Sequence, residues 1–205
     1  MPTQTTPSQR DMMAATAFIA APVFMLTYGL IRLLTDHRGP GVGWTVGHLA
    51  FLIALFLFGL VLLGLRRLAL SENRTRRISV DIATAAGFLG LVAMVVQISV
   101  DLVAGMVSAD HAEMSRLFDS FQAWPGVTPA IYTVVPQLLF AGLVVLGILA
   151  ALARRLHPLG AGLIVVGTAL AAVNLDLIPA AALCYLAALA PPAVRLARGQ
   201  RQPAP

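Results

Sequence analysis

Apolar positions fall into long unbroken runs separated by short polar breaks. The pattern has neither the strict alternation of a half-buried strand nor the polar face of a soluble helix. Six runs approach the roughly 20 residues that carry a helix across a bilayer core: Met13–Leu34, Thr45–Leu68, Ile82–Val107, Pro129–Leu152, Leu159–Leu177 and Pro179–Leu196. Asp176 and Pro179 divide the last two. Leu159–Leu196 is about twice the length of one span, and proline favours the first turn of a new helix. Pro136 is expected to bend the fourth helix beside Gln137.

A different pattern lies between the third and fourth runs. Met114, Leu117, Phe118 and Phe121 form a helical stripe, and Asp110 and Glu113 have the spacing of a capping box. Asp110–Gln122 is therefore predicted to be a short amphipathic helix on the membrane interface, with Trp44 and Trp124 at the same level. Two readings of it are open, an anchor and a lid over the bundle mouth. The expected fold is all-α: a polytopic membrane protein, a six-transmembrane-helix bundle with this short helix between helices three and four. One domain covers residues 12–197, with disordered cytoplasmic tails at 1–11 and 198–205. No small-residue cleavage site follows a short apolar stretch, so the first run is expected to remain as a helix.

Composition sharpens the class. Apolar residues make up 59% of the 205 positions and charged residues 11%, with a mean hydropathy of +0.85. That is too little polar surface for a water-soluble enzyme, a nucleic-acid-binding domain, a disordered regulator or a disulfide scaffold. The net charge of +5 is read as topology, because the charges sit between the apolar runs. Arg10, Arg66, Arg67, Arg74, Arg76, Arg77, Arg154, Arg155, Arg195, Arg198 and Arg201 fall on one side of a six-span chain, and Arg32, Arg38 and Arg116 on the other. By the positive-inside rule both termini are cytoplasmic. The opposite side carries Asp36, Asp110, Glu113 and Asp119. Arginine without lysine, among so much Ala, Leu, Val and Gly, suggests a GC-rich bacterial genome, hence the bacterial cytoplasmic membrane. The missing lysine excludes a retinal Schiff base, and the single Cys184 excludes a dithiol redox centre.

Ionisable groups inside the hydrocarbon cost roughly 2.5–3.5 kcal/mol each on insertion scales, so they are the candidates for chemistry. Asp101 lies about a turn and a half below the outer end of the third helix, with Gln97 one turn earlier on the same face. His48 is in the first turn of the second helix, and Asp176 closes the fifth with Asn174 beside it. Tyr28, Tyr132 and Gln137 lie in the outer halves of helices one and four. These groups share one depth band. If they share the bundle interior, they line a polar pocket open to the outer face. Asp101, Asp176 and His48 are the catalytic candidates, and Tyr28, Gln97, Tyr132, Gln137 and Asn174 the binding candidates. Five of them have a structural alternative: Asp176 as a cap of the sixth helix, His48 bonded to a backbone carbonyl, Gln97 and Gln137 as interhelical glue, and Asp101 paired with Arg32. Asp81 is read as a helix-dipole partner among the arginines.

His37, His48, His111 and His157 show no metal-ligand spacing, and no phosphate loop or nucleophile elbow is present. No metal or other cofactor is expected. The many glycines are read as sites of close helix packing.

The run Gly39-Pro-Gly-Val-Gly-Trp44 leading into His48, and Asp101-Leu-Val-Ala-Gly followed by an outer amphipathic segment, resemble small six-helix integral membrane proteins of actinobacteria, a group of unassigned function. The resemblance implies the topology and carries over no catalytic residue.

Two readings of function compete. In one, an isoprenoid or lipid enters from the bilayer, Asp101 donates a proton, Asp176 or His48 accepts one, and the tyrosines line the pocket, as in membrane-embedded cyclases and isomerases of similar architecture. In the other, the chain is a small permease, exporter component, or accessory or scaffold subunit, with Asp101 as a proton or cation site. The expected partners are membrane lipid and an apolar small molecule, not nucleic acid. A homo-oligomer is compatible with the sequence.

Overall fold

The computed structural model describes residues 6–35 and 39–199. Asp36, His37, Arg38, Arg201 and the outer parts of both expected tails lie outside the described residues. The order is α1 Gln9–Leu34, α2 Val42–Ala69, α3 Arg74–Val107, α4 His111–Gln122, a π-helical stretch Thr128–Thr133, α5 Gln137–Leu152, α6 Pro158–Val173, a 3-10 turn Leu175–Leu177, and α7 Ile178–Ala197. There is no strand among the described residues. The protein is an all-α bundle.

Five helical segments are long and apolar enough to cross a membrane: Gln9–Leu34, Val42–Ala69, Arg74–Val107, Thr128–Leu152 and Leu175–Ala197. The apolar helix Pro158–Val173 is shorter, 16 residues. It ends early because Asn174 leaves helical geometry and caps the following 3-10 turn, its Oδ1 accepting from the Asp176 N–H at 2.9 Å.

Local chemistry sets the other boundaries. The Ser8 hydroxyl accepts from Asp11 N–H at 3.2 Å while Asp11 Oδ2 accepts from Ser8 N–H at 3.3 Å. This capping box starts α1 at Gln9, inside the stretch expected to be a tail. Asp110 caps α4 by accepting from Glu113 N–H at 2.8 Å, and Glu113 reaches back to Ala109 N–H at 2.7 Å. The expected fourth helix is interrupted. Its first turns are π-helical, and Pro136, which has no N–H to donate, stands at the restart of α5.

The six apolar helices close into a ring in the order α1, α2, α3, α5, α6, α7, with α2 also meeting α5. Neighbours run antiparallel, as the pairs Gly47–Ile31 and Gly64–Phe18, Gly59–Leu91 and Gly105–Trp44, Gly87–Gly142 and Gly90–Leu139, and Gly160–Ala188 and Gly167–Ala181 show. Small residues set the spacing. At the crossing of α3 and α5, a Cβ on Gly142 would lie 2.7 Å from the Gly87 Cα, and one on Gly90 would run into the Leu139 backbone nitrogen. The backbones themselves touch, as small-residue interfaces permit. Between α6 and α7, Thr168 Oγ1 and the fully buried Tyr185 hydroxyl share a hydrogen bond of 2.6 Å. Phe18, Leu62, Leu65, Leu146 and Ile164 fill the centre.

The two ends differ in charge. Arg10, Arg66, Arg67, Arg74, Arg76, Arg77, Arg154, Arg155, Arg195 and Arg198 lie at one end, while Arg32, Arg116, Asp110, Glu113, Asp119 and Asp176 lie towards the other.

Candidate functional site

The first turn of α2 builds the site near the acidic end. Helical pitch puts Trp44 and His48 one above the other. The His48 Nδ1 lies 2.8 Å from the Trp44 carbonyl oxygen, and the two rings stack at 4.1 Å. On the other side, Tyr28 from α1 meets His48 edge-on at 5.6 Å and stacks on Phe51 at 4.6 Å. The imidazole is thereby held between two aromatic rings.

The pair expected from depth alone does meet. His48 Nε2 stands 3.9 Å from Asp101 Oδ2, with both side chains largely buried. A carbonyl oxygen only accepts, so Nδ1 carries the hydrogen of that bond. Nε2 then faces the carboxyl. A neutral imidazole and an ionised carboxylate would set two lone pairs against each other in a buried site. One further proton between them, on Asp101 or on Nε2, removes that conflict.

Trp44 also fixes α3. Its Nε1–H donates to the Asp101 carbonyl oxygen at 2.9 Å, and its indole lies over Gly105, where any Cβ would run into the ring. Placement at the interface level does not by itself reveal this role. The available signal was Gly105, the small residue one turn beyond Asp101 on the same face. Trp124 is 71% exposed.

Asp176 takes a different place. Arg32 Nε donates to its Oδ1 at 3.2 Å, so the arginine weighed as a partner for Asp101 belongs to Asp176. The reason is tertiary: α1 packs between α2 and α7, which brings the Arg32 turn to the start of α7. Arg32 remains within electrostatic range of Tyr28 and His48. With Tyr28, Trp44 and His48 it lines a void of about 10 Å³, smaller than one water molecule needs with ease.

The remaining candidates divide. The Tyr132 hydroxyl is buried without a hydrogen-bond partner and lies within electrostatic range of Asp101. Gln97 is half-buried on α3, Gln137 is exposed at the start of α5, and Asn174 is exposed as the cap between α6 and the 3-10 turn. Neither glutamine makes a hydrogen bond that joins it to the His48–Asp101 pair. Among the described residues no three of His, Cys, Asp and Glu come together as a metal site.

Beside this cluster α4 leans on α3 and leaves an apolar crevice of about 500 Å³, lined by Val96, Val100, Val103, Leu117, Phe118, Phe121 and their neighbours. Two aromatic contacts connect crevice and cluster: Phe118 to Trp44 at 6.3 Å and Phe121 to Tyr132 at 6.3 Å. The stripe predicted for α4 thus faces α3.

Comparison with protein-family models, curated proteins and solved structures found no match.

Proposed function

We propose that the chain is a six-span integral protein of the bacterial cytoplasmic membrane with both termini cytoplasmic, and that it binds and transforms an apolar isoprenoid or lipid by acid–base chemistry at His48 and Asp101. The arginine asymmetry supports the orientation. The antiparallel run of neighbouring apolar helices supports an even number of spans, with α6 as the short one.

The observation that carries the chemical reading is the 3.9 Å approach of His48 Nε2 to Asp101 Oδ2. One proton held between an acid and a base in an apolar bundle is the equipment for moving a carbon–carbon double bond. Asp101 protonates one alkene carbon, and His48 Nε2 removes a proton from the carbon next to the cation. The proton then returns from His48 to Asp101, with no other reactant consumed. The apolar tail lies in the α3–α4 crevice, and the Tyr132 hydroxyl meets a polar end. Asp176 serves here by holding Arg32, leaving His48 as the base.

A second reading draws on the small void: about 10 Å³ beside His48 admits no substrate. On it, the pair is a buried clamp joining α2 to α3, and the protein is a permease or exporter component or an accessory subunit without catalysis.

Mass spectrometry of molecules that co-purify in nanodiscs separates the two, comparing the natural chain with Asp101→Asn and His48→Gln. A specific isoprenoid or lipid that is lost or chemically altered in both variants supports the first reading. Identical bulk lipid in all three overturns it in favour of the second.

A further inference from the structure

The opposite end holds a feature that the acid–base reading does not use. Between the α2–α3 turn and the C-terminus of α5 lies a basin of about 860 Å³, lined by Arg66, Arg76, Arg77, Arg154, Arg155 and Glu72 among others. Arg66 is neutralised by Asp81, with Nη2 and Nε at 2.7 and 3.1 Å from the same carboxylate oxygen. Glu72 offsets one more charge, leaving an excess of positive charge around one cavity.

The basin is built, not merely charged. Arg76 Nη2 donates to the Leu149 carbonyl in the last turn of α5 at 2.6 Å, which fixes the guanidinium at the wall. Its Nε–H is buried with no partner, a donor left over. Arg154 has a φ of +58° and is the one described residue other than glycine in the left-handed region. It ends α5 in the way glycine usually does: Arg154 N–H reaches Ala151 O at 2.8 Å, and Arg155 N–H reaches Ala150 O at 2.9 Å. An L-residue there is strained, because its Cβ crowds the following carbonyl oxygen. Glycine would relieve that strain, yet arginine holds the position, and the residue lines the basin. General membrane orientation asks for arginines near this end. It does not ask for them around one cavity, for a left-over buried donor, or for arginine at a glycine position.

We propose that this basin is a binding site for a phosphate-bearing anion, with Arg76, Arg77, Arg154 and Arg155 as its ligands. Guanidinium groups pair with phosphate oxygens through charge-assisted bonds. The phosphate comes either from the headgroup of an anionic phospholipid in the adjacent leaflet, where basic recesses between helices take such headgroups, or from a soluble phosphate ester.

Native mass spectrometry of the full chain, released from uncharged detergent, tests the proposal with phosphatidylglycerol and with glycerol 3-phosphate as separate probes. Arg154→Gly is the decisive variant, because the fold is expected to keep or gain thermal stability while the anion adduct falls about tenfold. Arg77→Gln is the second, since it touches no helix cap. Arg116→Gln removes the same charge at the far end and is expected to leave the adduct unchanged. Retention of phosphatidylglycerol with this variant pattern supports the lipid source. Retention of glycerol 3-phosphate alone, with the same pattern, supports the soluble one. No adduct with either probe, or an equal loss in Arg116→Gln, overturns the site.

Discussion

Gly105 on α3 lies flat beneath the indole of Trp44 on α2, and the same indole donates to the Asp101 carbonyl one turn earlier. The absent side chain lets the ring reach the backbone of the neighbouring helix. Gly105→Ala is expected to displace Trp44, lose that 2.9 Å bond and cost about 1–3 kcal/mol, the usual range for overpacking. Thermal unfolding in detergent measures the cost. Tryptophan fluorescence in a Trp124→Phe background reports the ring. An unchanged spectrum and melting point would show that the indole has room to spare.

The α3–α5 crossing gives a sharper contrast. A Cβ at Gly142 meets backbone atoms of Gly87 and Ala83 within 3.0 Å, whereas one at Gly162 meets nothing within 4 Å. Backbone cannot swing aside as a side chain can. Gly142→Leu is expected to prevent folding of the bundle and Gly162→Leu to be tolerated, as read by monodispersity on size-exclusion chromatography. Equal behaviour of the two variants would contradict the close approach.

Between α6 and α7, Tyr185→Phe and Thr168→Val each remove one side of a part-buried 2.6 Å hydrogen bond. Interhelical bonds of this kind contribute roughly 0.6 kcal/mol and at most about 1.7. A double-mutant cycle is expected to return a coupling in that range. A coupling of zero would mean that each hydroxyl finds another partner.

The tautomer of His48 follows from its contact with the Trp44 carbonyl. Nδ1 is expected to carry hydrogen wherever the fold persists, and ¹⁵N chemical shifts of histidine-labelled protein, assigned by His48→Gln, read it directly. A neutral ring protonated at Nε2 alone would contradict the arrangement around Asp101.

The sequence showed depth far better than direction. Asp110 and Glu113 announced the start of α4, and Pro136 announced a bend near Gln137 though not the full interruption, because caps and prolines act over a few residues of chain. The meeting of His48 and Asp101 was legible only as a shared depth, since which way each points depends on helix rotation set by packing. Arg32 shows the limit most clearly. Its choice of Asp176 over Asp101 depends on α7 returning to α1, 144 residues along the chain. The π-helical stretch before Pro136 and the left-handed Arg154 left no sequence signal, because both arise where the backbone accommodates its neighbours.

The shortness of α6 has a consequence for the surrounding lipid. Its 16 residues rise about 24 Å at 1.5 Å each, against roughly 30 Å of hydrocarbon, while α3 runs for 34 residues. In the six-span arrangement the perimeter is uneven in height, and the bilayer must dip beside α6 to meet it. In that arrangement such a dimple would bring water and headgroups to Asn174 and Asp176, both exposed on the bundle. The same arrangement would favour thin bilayers, with thicker ones penalised by fractions of a kcal/mol for each ångström of mismatch.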